Sequence, residues 1–363
     1  MLRLLAAAAA CSVAVAASGQ AAKPPHLVFF LADDQGNHDI GFHSANITSP
    51  HIDALQKAGR ELKRHYVFKY CSPTRAALLS GRLPYHAHQW NLDAGRPGGT
   101  NLAFTLMPAM LKKFGYAAHL VGKWHGGMSR HAFLPTSRGF DSSIGVLSGG
   151  HDHITQKNPG QGCSAWSPTL KSAACAPLPL PPDANGTEKE RAAGNDCAGG
   201  VVDYWQSERT GSPGEGGCTA TACPVPNGTF EPYSLNARAL SIVAAHDPSR
   251  PLYLHYTPHM IHTPLERSPT MPNEFVNGTE CGCDERCTLQ SMVSVLDSLV
   301  ANLTAALTAK GMMKNLVFVY SVRLTLSSMR MSEQAGLCSD RVLGAGRQRR
   351  RRADRLQLSV QRG

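Results

Sequence analysis

The segment HLVFFLADD, residues His26 to Asp34, runs an apolar stretch directly into two adjacent carboxylates. An uninterrupted run such as His26–Ala32 suits a strand covered on both faces, because neither face has to present polar groups to water. Downstream, Ser49-Pro50 offers an N-cap and a first-turn proline, Ile52 and Leu55 keep helical spacing, and Gly59 supplies a stop. A second helix is expected around Pro108–Phe114, closed by Gly115 and followed by a strand at Ala117–Val121. A helix over Ser234–Ala245 then leads into a strand at Leu252–Tyr256. The strongest periodicity spans about Thr288 to Lys310, where Leu289, Met292, Val293, Leu296, Leu299, Val300, Leu303 and Leu307 fall on one helical face. Gly311 ends that helix, and Leu316–Tyr320 reads as the next strand. Strands alternating with helices predict an α/β fold with a mainly parallel sheet flanked by helices. In such sheets ligands bind at the carboxyl ends of strands, where Asp33 and Asp34 lie.

The chain has 363 residues, 42% of them hydrophobic and 17% charged, which is enough for a substantial core and excludes global disorder. Its net charge of +10 is unevenly distributed. Residues 321–363 hold ten Arg and three acids, while the first 320 residues carry only +3. The body therefore needs no polyanion partner, and nucleic-acid binding is not expected. Residues 1–22 have the form of a secretory signal peptide, with Arg3, an apolar stretch from Leu4 and a small-residue exit near Ala16-Ala17-Ser18. No later segment reads as a membrane span. Asn-x-Thr sequons at Asn46, Asn185, Asn227, Asn277 and Asn302 agree with passage through the secretory pathway, to an extracellular or lysosomal destination. Outside the signal, the tail and Cys71, eight cysteines remain: Cys163, Cys175, Cys197, Cys218, Cys223, Cys281, Cys283 and Cys287. An even set in an oxidising compartment is expected to form disulfides, with the pairing open. Zinc ligation by Cys281-x-Cys283-x3-Cys287 is the weaker reading, since no His completes the spacing. Between Asn158 and Pro232 the Gly, Pro, Ser, Thr and Cys content predicts a long surface excursion.

Three elements carry chemistry. Asp33 and Asp34 repel one another unless a cation or donor lies between them, and oxygen ligands of this kind suit Ca²⁺ or Mg²⁺. Tyr70-Cys71-Ser72-Pro73-Thr74-Arg75 continues into Ala76-Ala77-Leu78-Leu79-Ser80-Gly81. A cysteine-phosphatase loop would need Arg where Ala77 stands. Lys123 and His125, in Gly122-Lys123-Trp124-His125, are two apart, a spacing that in extended chain aims both side chains the same way. A cation and an imidazole together suit oxyanion binding and leaving-group protonation. His262 follows in Ile261-His262-Thr263-Pro264, with His259 as a nearby competitor. His151 and His153 are expected at the surface.

The run Cys-x-Pro-x-Arg-x-x-Leu-Leu-Ser-Gly resembles the signature of the sulfatase family, and Gly115 through His125 resembles that family's second signature. The likeness extends from about Pro24 to Ser321, and PPHLVFFLADDQGNHDIGFH, SPHIDAL, GKWH and LPTSRGFD look most like the arylsulfatase B-like branch. It implies an alkaline-phosphatase-like fold and hydrolysis of a sulfate ester, with Ca²⁺ bound and Cys71 oxidised to formylglycine by a formylglycine-generating enzyme. By matching motif, Asp33, Asp34 and modified Cys71 would bind the metal, and a hydroxyl of hydrated residue 71 would attack sulfur. His125, Lys123 or both would assist the leaving alcohol, Arg75 would hold the hydrate, and Lys123 and His262 would grip sulfate oxygens. The branch implies a sulfated glycan as substrate.

After Leu316–Tyr320 the family pattern is Ser-x-Asp-Asn-Gly-Gly, whose Asp-Asn pair completes the metal site. Here Ser321-Val322 is followed by Arg323-Leu324. Residues 23–322 therefore read as a catalytic domain truncated before its C-terminal part, and 323–363 as Arg-rich material foreign to the family. The tail is expected to be disordered or the product of a frame shift, an unspliced intron or a wrong gene model; the competing reading is a basic tail for anionic glycans or membranes. The chain as it stands is expected to fold poorly and to be inactive. The alternative function is a catalytically dead secreted glycoprotein that binds sulfated glycans.

Overall fold

The computed structural model describes residues 23–87, 90–92, 98–158, 201–210, 217–222, 229–269, 274–276, 279–280 and 285–323. The apolar run forms β1 (His26–Asp33), one residue longer than its apolar core, with Asp33 as its last member. The other strands of the main sheet are β2 (Ala117–Gly122), β3 (Ser142–Gly145), β4 (Trp205–Thr210), β5 (Gly217–Ala222), β6 (Leu252–Thr257) and β7 (Leu316–Arg323). Their order is β7-β1-β6-β2-β3-β4-β5. The first five are mutually parallel, and β4 and β5 add an antiparallel hairpin at the far edge. The mainly parallel α/β sheet expected from the alternating pattern is present.

The hairpin corrects one expectation. The stretch between Asn158 and Pro232 is not wholly a surface excursion: β4 pairs with β3 inside it, and Tyr204 and Trp205 are 2% and 1% exposed. Two bulky aromatics gave that segment an apolar anchor that its small-residue composition conceals. Cys287 is disulfide-bonded; the side chains of the other seven cysteines in the even set lie outside the described residues, as do residues 1–22 and 324–363.

Helices cover the sheet: α1 (Pro50–Ala58), α2 (Cys71–Ser80), α3 (Met107–Lys112), α4 (Glu231–Ala245) and α5 (Glu285–Ala309). The apolar face of α5 is fully buried through Met292, Val293, Leu296, Leu299, Val300, Leu303 and Leu307, packed with Val28, Phe30, Leu254 and Tyr256 of the sheet. Length and hydropathy would let α5 cross a bilayer, but here it is a core helix. Ser49 does not cap α1 with its side chain. Its hydroxyl donates to Asp53 instead, at 2.9 Å, and Asp297 of α5 takes the orphan N–H groups of His51 and Ile52 at 3.0 and 2.8 Å. One carboxylate thus joins helix capping to helix–helix packing.

Two outer features bear on the sequence reading. On β7 the side chains alternate: Phe318 and Tyr320 pack on the core, whereas Val317 and Val319 are 46% and 37% exposed. β7 is also an edge strand, so its outer ladder and two valines stand uncovered among the described residues. Of the five sequons, Asn46 and Asn302 are described, and both are exposed.

Interior imidazoles make the fold acid-sensitive. Burial lowers His119 on β2 from 6.5 to about 4, and burial with nearby Arg75 lowers His255 on β6 to about 3. A His depressed in the fold stays neutral there while the unfolded chain takes up its proton. Stability is therefore full above pH 6.5 and falls as pH drops toward 4, by up to about 3 kcal/mol for His119. Between pH 7 and pH 4, His119→Gln should lose about 2–3 kcal/mol less unfolding free energy than the parent. Parallel pH dependences in the two proteins would show that His119 titrates normally.

Candidate active site

The carboxyl ends of β1, β2 and β6 meet the N-terminus of α2. Cys71 is the first residue of α2, and Tyr70 before it is extended. Pro73 fits this first turn because its missing N–H would have no helical partner anyway. The Thr74 hydroxyl donates to the carbonyls of Tyr70 and Phe68 at 2.7 and 2.8 Å, and Ser72 N–H donates to Asn91 Oδ1 at 3.1 Å. Gly81 ends the helix in the left-handed region, at φ 66°. One helical turn after Cys71, Arg75 lies on the same face. It is 1% exposed, donates to the Lys123 carbonyl at 2.7 Å and stands 3.6 Å from Asp33 Oδ2.

Lys123 is fully buried just beyond β2, with Nζ 2.5 Å from Asp33 Oδ2 and 3.6 Å from Cys71 Sγ. Its carbonyl also accepts from the Thr257 hydroxyl at 2.8 Å, which fixes the backbone at the mouth of β6. His125 is 2% exposed and its Nε2 donates to the Leu92 carbonyl at 2.7 Å. The extended-chain reason given for Lys123 and His125 converging is incorrect, because His125 has φ 51°. The two side chains meet at Cys71 through a left-handed turn. His262 is partly exposed, with Nε2 3.5 Å from Asp34 Oδ2, and Asp34 itself has φ 57°.

Electrostatics follow from this packing. Burial alone would raise the Cys71 thiol, but Lys123, with hydrogen bonding from His125 and His262, outweighs it and holds the thiol well below its usual range. Burial is the largest influence on His125 and lowers it. The pocket around residue 71 is therefore cationic and dry, and it opens at a helix N-terminus, which also favours negative charge. Sγ here marks the unmodified cysteine; in an oxidised residue the aldehyde carbon is the Cβ that bears it.

Cys71, Arg75, Lys123, His125 and Asp33 come together as the motifs suggested, with Asp34 and His262 as a pair at the rim. His151 and His153 are not surface residues: they are 2% and 0% exposed. Each is tied inward, His151 Nδ1 donating to the Asp203 carbonyl at 2.8 Å and His153 Nε2 to the His262 carbonyl at 3.1 Å. Both face Glu231, the first residue of α4, at 3.1 and 3.2 Å. Burial would raise Glu231, but His151 and His153 lower it to about 2. The two-residue spacing of His151 and His153 was the one sequence signal for this cluster; Glu231 and His259 gave none.

The sulfatase family profile matches residues 25–321. The chain belongs to the sulfatase family. It is 29% identical over 300 residues to arylsulfatase J of Mus musculus, which covers 82% of this chain and 42% of the mouse protein. Against arylsulfatase A of Homo sapiens it is 26% identical over 345 residues, covering 90% of this chain and 57% of the human protein. This sulfatase chain thus spans about half the length of these curated relatives. Among solved structures, Ps i-CgsB in complex with k-i-k-neocarrahexaose is similar, with 25% identity, a TM-score of 0.56 and coverage of 82% of this chain and 58% of that one.

For a sulfatase the metal half of the site is incomplete. Calcium takes six to eight oxygens at about 2.3–2.6 Å. Of the two carboxylates present, Asp33 is already held by the Lys123 ammonium, and Asp34 faces His262. The next oxygen donors should come from the end of β7, beside β1. There the ladder sets Arg323 directly opposite Asp33. The described residues do not make up a calcium site.

Proposed function

We propose that the chain carries the sulfuric ester hydrolase site of its family, acting on sulfated sugars through a formylglycine made from Cys71 in the secretory pathway. The observation that carries this reading is the cationic cradle around residue 71: Lys123 Nζ lies 3.6 Å from Sγ, at a helix N-terminus beside buried Arg75 and His125. The donor set fits an oxidised residue 71, whose hydrate would supply one hydroxyl to attack sulfur and a second whose deprotonation releases sulfate. Lys123 and His262 would hold sulfate oxygens. His125 donates through Nε2 to the Leu92 carbonyl, so its Nδ1, buried beside Cys71, is the atom that would carry a proton to the departing alcohol. Arg75 would orient residue 71 through the helix face they share. Enclosure by Asn91, Thr257 and the ends of β1 and β2 keeps bulk water from these charges. The k-i-k-neocarrahexaose named with the similar solved structure supports a sugar substrate.

The Asp33–Arg323 pairing favours a second reading, a catalytically dead glycoprotein that binds sulfated glycans. Co-expression with a formylglycine-generating enzyme, mass analysis of the peptide bearing residue 71, and an aryl sulfate assay separate the two. The hydrolase reading expects the aldehyde at residue 71 and measurable turnover once the β7 end is restored as described below. Unmodified Cys71, no turnover and retention on a chondroitin sulfate column would establish the binding protein.

A further inference from the structure

Beside the Cys71 site, His151, His153, Glu231 and His259 form a second polar nucleus, each 2% exposed or less. Its hydrogen bonds place one proton on each of two rings. A carbonyl oxygen only accepts, so His151 Nδ1 and His153 Nε2, each on a backbone carbonyl, carry an N–H. Their other nitrogens meet at one atom, Glu231 Oε2, at 3.1 and 3.2 Å. Glu231 Oε1 and both ring nitrogens of His259 are buried with no hydrogen-bond partner. Lone pairs facing a carboxylate oxygen repel unless something positive lies among them.

Protons on His151 and His153 would relieve the contacts with Glu231. They would leave His259 as bare as before, with two orphaned nitrogens in the interior. A dication relieves all of it at once. The ligand atoms of His151, Glu231 and His259 lie within 4.8 Å of one another. Ligands held about 2.0–2.1 Å from a tetrahedral ion are about 3.3 Å apart, near the observed His151–Glu231 spacing. The His259 ring, packed against His151 and His262 but restrained by no hydrogen bond, would have to turn to bring its nitrogen to that spacing. Donation of the second ring N–H to a backbone carbonyl, as His151 does, is also how metal-bound histidines are oriented.

We infer that His151, Glu231 and His259 form a buried binding site for a transition-metal dication of the zinc class, separate from Asp33 and Asp34. Two imidazoles and one carboxylate favour such an ion over calcium, which prefers oxygen. The ion would tie the loop after β3, the start of α4 and the loop after β6. Because His153 Nε2 holds the His262 carbonyl, the same cluster would brace His262 at the rim of the Cys71 site.

The test is titration of the metal-stripped chain with Zn²⁺ in excess Ca²⁺, with Co²⁺ as a spectroscopic substitute. One tightly bound Zn²⁺ per chain is expected, together with Co²⁺ absorption of a nitrogen-containing site. His259→Leu, which removes no hydrogen bond made by the ring, should weaken Zn²⁺ by about 100-fold while leaving the far-UV spectrum intact. Asp33→Asn should leave Zn²⁺ affinity unchanged. No Zn²⁺ binding, or binding indifferent to His259→Leu, overturns the site and leaves His151 and His153 as imidazolium partners of Glu231. Loss of binding in Asp33→Asn would place the ion with Asp33, His259 and His262 instead and overturn it equally.

Discussion

Changing Arg323 to Asp and Leu324 to Asn together should raise Ca²⁺ affinity by about 10³-fold or more, measured calorimetrically on the purified chain. The argument is one of charge and register. β7 runs parallel to β1 and sets residue 323 opposite Asp33, and adjacent strands lie only about 4.8 Å apart. Calcium needs oxygen ligands and is repelled by like charge, so exchanging the arginine opposite Asp33 for aspartate changes both in its favour, and Leu324→Asn adds an amide oxygen. Reversing the charge and adding oxygens is together worth about 4 kcal/mol or more, about three orders of magnitude. Lys123 limits the gain, since its ammonium stays on Asp33 at 2.5 Å. Each single substitution should give a smaller increase, Arg323→Asp the larger of the two. Unchanged affinity in the double variant would mean that the end of β7 does not contribute to a metal site, and the incomplete-sulfatase reading would fall with it.

Most of the sheet was legible because its strands are written in continuous apolar runs, even on β7, where one face is half-exposed. β1, β2, β6 and β7 appear in the sequence as short apolar runs, and the structure lengthens each by one to three residues, since pairing continues past the last apolar side chain. α5 was legible for the same reason, through one long buried stripe. The hairpin β4–β5 was not, because its outer strand alternates small and polar residues and its anchors, Tyr204 and Trp205, are isolated aromatics. The site divides in the same way. Cys71, Arg75, Lys123 and His125 lie in contiguous motifs, so the resemblance to the sulfatase signatures picked them out. Glu231 and His259 come from separate elements 28 residues apart along the chain, and only folding brings them to His151. A histidine in a Gly-rich loop, such as His151, looks exposed in sequence because nothing local says that α4 will cover it.

In the chain carrying the Arg323→Asp and Leu324→Asn changes, Cys71→Ala should reduce aryl sulfate hydrolysis by about 10⁴-fold or more, to the uncatalysed background. No neighbouring group offers a substitute. Lys123 is tied to Asp33 at 2.5 Å, Arg75 has no lone pair to offer at any accessible pH, and His125 is braced by the Leu92 carbonyl for proton transfer. The substitution should do little to the fold. Alanine is tolerated at a first helical position, and the Lys123–Asp33 pair keeps its mutual partner when Sγ is gone. Loss of turnover with an unchanged unfolding midpoint is therefore the expected pair of results. Iodoacetamide supplies the control on the Arg323→Asp, Leu324→Asn chain with Cys71 intact. Lys123 and the two imidazoles hold an unmodified Cys71 in its reactive thiolate form, so alkylation would block a thiol-dependent enzyme. A residue already oxidised to the aldehyde has no thiol, and turnover should resist the reagent. Activity that survives Cys71→Ala would remove residue 71 from the chemistry. Activity lost to iodoacetamide would instead make the thiolate the working group, and the formylglycine assignment would have to be abandoned.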